Sequence, residues 1–280
     1  MKNVLTDPER VLDIMFDVAR IEILPRFQNL KDSDISEKKP GDLVTAADHA
    51  SEAAFREFLP RHLAGSVVLG EEGYDANPNT INSLSGDAPV WIVDPVDGTR
   101  NFAHGEQPFT VIVALASKGV TQAGWIIDPL KNDAVWAVKG QGAWHLSENQ
   151  VVRLERQRND SGDLTMTAGE KLRKRMALAG NDTGLNVPKA VDRYRCAGRE
   201  YMDLALGTLD LARFGGILKP WDHAAGCLII REIGGLADNV DTGMPYEVST
   251  SLSSQSIGVA AEKPHGETFK RLLKQSDAYF

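Results

Sequence analysis

The chain has 280 residues, of which 42% are hydrophobic, enough for one large domain or two closely packed ones. Its formal charge of −8 argues against nucleic acid as a general partner, because phosphate backbones are bound by clustered Lys and Arg. The sequence shows no apolar run of about 18 residues and no signal-peptide pattern, which predicts a cytoplasmic protein that does not bind membranes. Cys196 and Cys227 lie in apolar surroundings without metal-ligand spacing, so we expect two core thiols in a reducing compartment.

Two helices and a polar connection are predicted at the start of the chain. Apolar residues at helical spacing predict an amphipathic helix over residues 6–30, with Thr6 and Glu9 as a capping box. Residues 31–41 are polar and end in Pro-Gly, which is typical of a mobile surface segment that could act as a lid. A second helix of about three to four turns follows. It carries Asp48 in its first turn, where the helix dipole favours a carboxylate.

Two short apolar runs further along the chain each end in acidic residues. Residues 66–70 read as a buried strand that ends in Glu71 and Glu72. Residues 90–93 read as another, which delivers Asp94 to its carboxyl end, where we expect Pro95 to stop the strand.

The turn after this second strand has the composition of an anion site. Asp97, Gly98 and Thr99 are typical of a helix start whose backbone N–H groups face an anion. Two carboxylates beside such a turn favour a Mg²⁺-type cation between them. The alternative is that Asp94 and Asp97 only cap and turn the chain.

The remaining segments indicate an α+β protein with strands and helices in separate layers. Residues 109–117, 120–127 and 134–138 form successive β-rich runs of an antiparallel meander. A polar stretch, 153–162, suggests a soft boundary between an amino-terminal half, 1–152, with most of the acidic residues, and a carboxyl-terminal half, 153–280. Elements predicted in that second half are helices at 169–179, 198–206 and 264–274, strands at 209–214 and 256–261, and a helix through Ile233 with Asp222 as its N-cap.

Four separated signatures stand out along the chain. They are Asp42-Leu43-Val44-Thr45-Ala46-Ala47-Asp48, Gly70-Glu71-Glu72, Asp94-Pro95-Val96-Asp97-Gly98-Thr99-Arg100-Asn101-Phe102 and Trp221-Asp222-His223-Ala224-Ala225-Gly226. In their order and spacing, across nearly the whole chain, these signatures resemble those of the inositol monophosphatase family of metal-dependent phosphatases.

This resemblance implies a fold, an assembly and a set of metal ligands. The fold would be a layered α-β-α-β-α sandwich, usually in a homodimer. Two or three Mg²⁺ ions would lie at the carboxyl ends of the strands, with Mn²⁺ as a substitute and Ca²⁺ and Li⁺ as inhibitors. Matched by motif, the ligands would be Glu71, Asp94, the carbonyl of Val96, Asp97 and Asp222.

The resemblance also implies catalytic roles. Thr99, paired with Asp48, would act with Glu71 to orient and deprotonate the attacking water. Adjacent divalent ions acidify water and stabilise the attacking and leaving oxygens, so no protein nucleophile is needed. The substrate would be a small phosphorylated metabolite, an inositol phosphate or a related sugar or polyol phosphate. Its contacts would include Asp97, Gly98, Thr99 and Asp222.

A second phosphatase class is excluded by spacing. Haloacid-dehalogenase-like enzymes also place Asp-x-Asp-Gly-Thr after an apolar strand, with the first Asp as nucleophile. Two residues before Asp97 stands Pro95, which carries no nucleophilic group.

Substrate choice within the family stays open. Members that act on inositol phosphates commonly carry a Glu seven residues before the Trp-Asp aspartate, where it meets a sugar hydroxyl, and here that residue is Gly215. Loss of such a partner removes a specificity contact. Arg199 and Glu200 could face an amine, a second phosphate or a nucleotide, or could form an ion pair. Histidinol phosphate and a 3'(2'),5'-bisphosphate nucleotide are therefore alternatives.

A different class of function is a regulatory binding protein, since some relatives of this family resemble regulators that contact the transcription machinery. The full set of acids and Thr99 favours catalysis, because a pure binding protein has no need for so many unpaired carboxylates.

His223 follows a predicted ligand, but an oxygen-rich Mg²⁺ site has little use for imidazole. We therefore expect His223 to pack beside the site.

Overall fold

The computed structural model describes residues 6–155 and 164–279. Short 3-10 segments follow the first helix and precede the fourth strand, at Leu24–Arg26, Asp32–Asp34 and Pro78–Ser85. The α-helices are α1 Pro8–Val18, α2 Ala46–His62, α3 Glu71–Ala76, α4 Thr99–Ala103, α5 Glu170–Thr183, α6 Ala197–Leu206, α7 Pro220–Glu232 and α8 Lys263–Ser276.

The strands form one hairpin and two larger sheets. The hairpin pairs β1 Ile35–Lys39 with β2 Asp42–Thr45. A seven-stranded sheet holds, in spatial and chain order, β3 Val67–Gly70, β4 Val90–Asp97, β5 Thr110–Ser117, β6 Val120–Asp128, β7 Asp133–Val138, β8 Gly142–Ser147 and β9 Gln150–Arg153. A five-stranded sheet, in the order β11-β10-β12-β14-β13, holds β10 Thr165–Thr167, β11 Lys189–Val191, β12 Leu211–Ile217, β13 Leu236–Asn239 and β14 Ser254–Ala260.

The two larger sheets and the helices stack as five layers. Helices α1 and α2 cover one face of the seven-stranded sheet. Helices α6 and α7 fill the space between its other face and the five-stranded sheet. Helices α5 and α8 cover the far side of that second sheet. The chain thus has the layered α-β-α-β-α arrangement, in which each sheet face is buried against a helix layer.

Strand β4 lies at the centre of this arrangement and is buried along its whole length. Trp91 and Val93 face the layer of α1 and α2, whereas Val90 and Ile92 face the layer of α6 and α7, as the two-residue period of a strand requires. It pairs in parallel with β3 and antiparallel with β5. The expectation that Pro95 ends the strand is wrong, because β4 resumes at Asp97 after a bulge in its pairing with β5. A bulge tolerates the missing proline N–H.

The amino-terminal segments differ from the predicted ones in two respects. The helix predicted over 6–30 ends as α-helix at Val18 and continues as a π-helical turn, Ala19–Ile23. Its cap is Asp7, which accepts from the N–H groups of Glu9 and Arg10, while the Thr6 hydroxyl lies 2.6 Å from His62 Nε2. The polar segment 31–41 contains strand β1. A two-residue turn separates β1 from its partner β2, which is typical of a hairpin. The polar composition of the segment did not indicate this hairpin.

The predicted boundary at 153–162 falls mostly on residues 156–163, which lie outside the described part of the chain. Within residues 6–155 and 164–279, every helix is too short or too polar to traverse a bilayer.

Candidate metal centre

Three acidic side chains from separate parts of the chain meet at one edge of the seven-stranded sheet. Glu71 is the first residue of α3, directly after β3, and Asp94 lies in the neighbouring strand β4. Asp222 is the third residue of α7. One carboxylate oxygen from each lies within 4.8 Å of the others. Because β3 and β4 run in parallel, their ends deliver two of these acids to the same edge.

The electrostatics of this group favour a bound cation. Asp94 is buried and Asp222 is half-buried, and loss of solvent together with the nearby negative charge of Glu71 raises the pKa of both carboxyls well above the ordinary value. Buried carboxylates this close repel one another unless a positive charge lies between them. Three carboxylate donors suit a hard divalent cation such as Mg²⁺. The residues present therefore fit a metal site.

Two lysines contact Glu71, and the sequence analysis identified neither of them. The Nζ atoms of Lys38 and Lys219 each lie 3.2 Å from Glu71 Oε1. Burial alone would lower the pKa of both amines, but Glu71 and neighbouring acids raise the pKa of each above its ordinary value. Lys219 stands three residues before Asp222, which could have drawn attention to it. Lys38 carries no local signal, because β1 brings it to the site from a distance.

Lys38 also ties two further acids to the same place. Its Nζ lies 2.7 Å from Glu72 Oε1 and 2.8 Å from Asp75 Oδ2. Glu52, buried in α2, accepts from the backbone N–H groups of Glu72 and Gly73, each at 2.8 Å. Helix α2 thereby caps the start of α3 and holds the turn that presents Glu71.

Asp97 is beside the three-acid group but is not part of it. Its Oδ2 accepts from Thr110 Oγ1 at 2.8 Å and from Gly198 N at 2.7 Å, and the Cys196 thiol lies 3.0 Å away. Its Oδ1 accepts from Ala197 N at 3.1 Å. Burial raises the pKa of Asp97, and these hydrogen bonds oppose the rise. Asp97 thus anchors the start of α6 to the end of β4.

Thr99 and Asp48 lie together although 51 positions separate them in the chain. The Thr99 hydroxyl is 3.2 Å from Asp48 Oδ1 and 2.9 Å from the carbonyl oxygen of Val96, and it can donate to either. Asp48 Oδ2 accepts from the N–H and the hydroxyl of Thr45, which forms a capping box at the start of α2. Burial raises the pKa of Asp48 to about 6.

The turn between β4 and α4 requires glycine. Gly98 has φ of 88°, and a Cβ there would lie 3.0 Å from Pro108 O and 3.2 Å from Cys196 Cβ. A side chain would meet both an unfavourable backbone conformation and a crowded space. The turn brings the backbone N–H groups of Gly98 and Thr99 to the start of α4.

The role predicted for Asp222 as an N-cap is wrong. The cap of α7 is Lys219, and Pro220 is the first helical residue. Proline is well suited to that position because its missing N–H would have had no helical partner. Asp222 therefore keeps its carboxylate for the acidic group.

A cavity of about 280 Å³ opens beside Asp97 and Asp222. Glu200 lines it, but its carboxylate already accepts from Thr167 Oγ1 at 2.8 Å. The other lining residues are Arg193, Arg195, Cys196, Ala197, Phe214, Gly215, Ile217, Leu218 and His223.

The structure does not bring Arg199 to this cavity. Its Nε donates to Asp203 Oδ1 at 2.9 Å, and its Nη1 lies 3.6 Å from Asp128 Oδ2 and 3.9 Å from Asp133 Oδ2. Successive helical residues point about 100° apart, so a helix that turns Glu200 toward the cavity turns Arg199 away. Arg199 therefore forms the ion pair that was the alternative to substrate contact.

His223 packs among aromatic rings. It is 4% exposed, its Nδ1 lies 3.2 Å from the Tyr201 hydroxyl, and its ring contacts Phe214 and Tyr246. Burial lowers the pKa of His223 to about 3, so the imidazole is neutral at physiological pH.

The layered fold and the acids at the ends of neighbouring strands define a class of protein. Comparison with known sequences identifies this class. Residues 7–279 match the inositol monophosphatase family, and the chain belongs to that family. The family is one of phosphatases that are generally metal-dependent, and the acidic group described above is the corresponding candidate site.

Individual relatives carry two kinds of name. The chain is 30% identical over 243 residues to the inositol-1-monophosphatase of Bacillus subtilis (strain 168), an alignment that covers 85% of this chain and 86% of the relative. It is 34% identical over 233 residues to the Nus factor SuhB of Haemophilus influenzae, covering 81% and 83%. Among solved structures, inositol monophosphatase II from Staphylococcus aureus MSSA476 is similar with a TM-score of 0.72 and 25% identity, covering 96% of this chain and 94% of that one.

Proposed function

We propose that this chain is a Mg²⁺-dependent phosphomonoesterase that hydrolyses a small phosphate monoester by direct attack of water. The substrate would be an inositol phosphate or a related sugar or polyol phosphate. The observation that carries this proposal is the convergence of Glu71, Asp94 and Asp222, with one oxygen of each within 4.8 Å of the others, beside the paired Thr99 and Asp48.

The metal ligands in this proposal are side chains and one backbone carbonyl. Asp97 fits among them despite its hydrogen bonds, because Oδ1 accepts only one in the described structure and a carboxylate oxygen has two lone-pair sites. When bound, divalent cations supply Lewis-acid charge that acidifies water and stabilises the phosphoryl oxygens. The full set of ligands is Glu71, Asp94, the carbonyl of Val96, Asp97 and Asp222. Mn²⁺ would substitute for Mg²⁺, and Ca²⁺ and Li⁺ would inhibit.

The chain's own groups position the reactants. When the Thr99 hydroxyl donates to Asp48, its lone pairs are directed to accept a hydrogen bond from the attacking water, and Glu71 accepts the water's other proton. With its pKa raised to about 6, Asp48 is mostly ionised at neutral pH and can accept the hydrogen bond from the Thr99 hydroxyl. The backbone N–H groups of Gly98 and Thr99 would hold the phosphate oxygens.

Asp94→Asn tests this proposal directly. The substitution keeps the size of the side chain and removes one charged donor, so phosphate release from a panel of phosphate esters with MgCl₂ should fall below detection. Asp13→Asn is the matched control, because Asp13 lies exposed on α1 and pairs with Arg10. Circular dichroism would verify that both variants fold. Wild-type activity in Asp94→Asn would refute the assignment.

Relatives named Nus factor SuhB, at 30% and 34% identity, favour a second candidate function, that of a regulatory binding protein of the transcription machinery. No phosphate release from any ester, together with intact metal binding, would support this alternative. The same panel, extended to histidinol phosphate and a 3'(2'),5'-bisphosphate nucleotide, would identify the substrate.

Three further properties complete the proposal. We expect a cytoplasmic homodimer, as the family resemblance implies, and light scattering after size-exclusion chromatography would measure the assembly. We also expect residues 1–152 and 153–280 to form two halves, the first with most metal ligands and the second with Asp222 and the segment that selects the substrate.

A further inference from the structure

Two arginines line the cavity beside the candidate metal centre. Arg193 and Arg195 both border the cavity that also contains Asp97 and Asp222, and both are exposed. They also border a neighbouring cavity of about 560 Å³, so their segment lies between the two spaces. The two guanidinium groups place positive charge beside the cavity, whereas the metal ligands carry negative charge.

Arg195 combines an unfavourable backbone conformation with an unpaired side chain. Its φ is 55°, a left-handed conformation that is unfavourable for residues other than glycine. Among residues 6–155 and 164–279, its guanidinium has no hydrogen-bond or ion-pair partner. Strained positions of this kind concentrate at ligand sites. The guanidinium is free to bind an anion in the cavity.

Neighbouring contacts fix the segment that carries these arginines. Arg193 Nη2 donates to the carbonyl of Arg213 on β12 at 3.2 Å. The side-chain amide of Asn101 donates to the carbonyl oxygen of Tyr194 at 3.0 Å. Asn101 thus secures the backbone between the two arginines.

Gly215, which borders the same cavity, leaves open space. Its φ lies outside the left-handed range, and a Cβ there would be no closer than 3.9 Å to other atoms. Neither conformation nor crowding requires glycine at this position. Its lack of a side chain therefore leaves more room in the cavity that the arginines line.

We infer that Arg193 and Arg195 bind a second anionic group, a phosphate or a carboxylate, on the leaving group of the substrate, and that Gly215 provides the room for it. This inference rests on the proposed phosphomonoesterase function and narrows its substrate to esters with two anionic groups. Guanidinium forks bind both phosphate and carboxylate through paired hydrogen bonds.

Matched pairs of compounds test the inference. Glycerol 2-phosphate against 2-phosphoglycerate adds a carboxylate, and glucose 1-phosphate against glucose 1,6-bisphosphate adds a phosphate. Turnover would be measured with Mg²⁺, and dissociation constants by calorimetry with Ca²⁺. We expect a preference of about tenfold or more for at least one of the doubly anionic compounds, because hydrogen bonds between charged groups commonly contribute this much.

Two sets of variants connect that preference to the residues. In the double variant Arg193→Ala/Arg195→Ala, the ratio of kcat/KM between doubly and singly anionic compounds should fall about tenfold or more. Arg10→Ala/Arg20→Ala removes the same charge from exposed positions on α1 and on the π-helical turn that follows it, and should leave the ratio unchanged. Gly215→Glu should lower the ratio by repulsion, and Gly215→Gln, equal in size but uncharged, should lower it much less.

The outcomes separate this inference from the proposed function. Turnover without any preference between paired compounds would overturn the inference and leave the phosphatase proposal standing. An arginine-dependent binding preference without turnover would support the anion site and contradict the phosphatase proposal. Equal binding of all compounds without turnover would contradict both.

Discussion

Glycine 98 determines whether the candidate catalytic groups can meet. The φ of 88° at Gly98 turns the chain from the end of β4 directly into α4. Asp97 and Thr99 flank this glycine, and Asp97 hydrogen-bonds to the start of α6 whereas Thr99 hydrogen-bonds to Asp48 on α2. One backbone conformation therefore connects two sides of the site.

Gly98→Ala should lower both stability and activity. We expect the free energy of unfolding to fall by about 1–3 kcal/mol, because the new Cβ combines backbone strain with close contacts. Gly243→Ala is the matched control, with φ of 71° and no atom within 4 Å of the added carbon. Urea denaturation would measure the stability of the two variants, and phosphate release would measure their activity. Equal effects of the two substitutions would show that the contacts at Gly98 are unimportant.

Thr99→Val removes the hydroxyl and preserves the shape of the side chain. If Thr99 orients the attacking water, kcat should fall by about 10²-fold or more, as expected for loss of acid-base assistance. Thr99→Ser keeps the hydroxyl and should retain most of the activity. Steady-state kinetics would compare the variants, and similar activity of the valine and serine variants would contradict the role of the hydroxyl.

Helix α7 depends on close contact with the seven-stranded sheet for the position of Asp222. A Cβ on Gly124, in β6, would lie 2.5 Å from the backbone Cα of Ala225, three residues after Asp222. A Cβ on Gly226 would similarly overlap the ring of Tyr201 on α6. These two glycines allow α7 to lie between β6 and α6 at the depth that brings Asp222 to Asp94.

Gly124→Ala should displace α7 and weaken metal binding. We expect a loss of stability of about 1–3 kcal/mol from overpacking, together with a lower affinity for Mn²⁺, since Asp222 moves with the helix. Gly258→Ala is the control on β14, where the added carbon would make only ordinary contacts, at 3.4 Å or more. Thermal unfolding and Mn²⁺ calorimetry would report the two effects. Unchanged Mn²⁺ affinity in Gly124→Ala would contradict this account of the helix position.

The stability of the whole protein should respond to pH and metal together. Burial raises the pKa values of Asp94 and Asp222, and that of Asp48 to about 6. Between the unfolded value of about 4 and these folded values, the folded state binds more protons than the unfolded state. The contribution of these acids is therefore complete below about pH 4 and is lost as pH rises through the folded pKa values. His223, whose pKa burial lowers to about 3, contributes with the opposite sign.

We therefore expect metal to stabilise the protein more at pH 7.5 than at pH 5. Urea denaturation with EDTA or with MgCl₂ at both pH values would measure this difference. Asp94→Asn/Asp222→Asn should reduce it, and this comparison also separates the acids from His223. A benefit of MgCl₂ that is equal at both pH values in the wild type would contradict the account.

The sequence predicted those features of the fold and site that depend on local pattern. The apolar run before Asp94 and the Gly98 turn are local, and the layered α+β fold followed from the family resemblance and is confirmed. The contacts of Lys38 and Glu52 depend on how distant elements meet, so no local pattern contained them. The sequence left open whether Arg199 meets the substrate or forms an ion pair, because its direction depends on the rotation of α6, which adjacent residues do not reveal.

Anomalous diffraction from crystals soaked in Mn²⁺ tests the convergence of acids most directly. The arrangement of Glu71, Asp94 and Asp222 predicts an anomalous peak within ligand distance of all three carboxylates. The contradicting result is a crystal that has no peak at these acids although Mn²⁺ is fully occupied elsewhere, with Lys38 and Lys219 still bound to Glu71. That result would show that the lysines neutralise these acids and that no metal centre exists there.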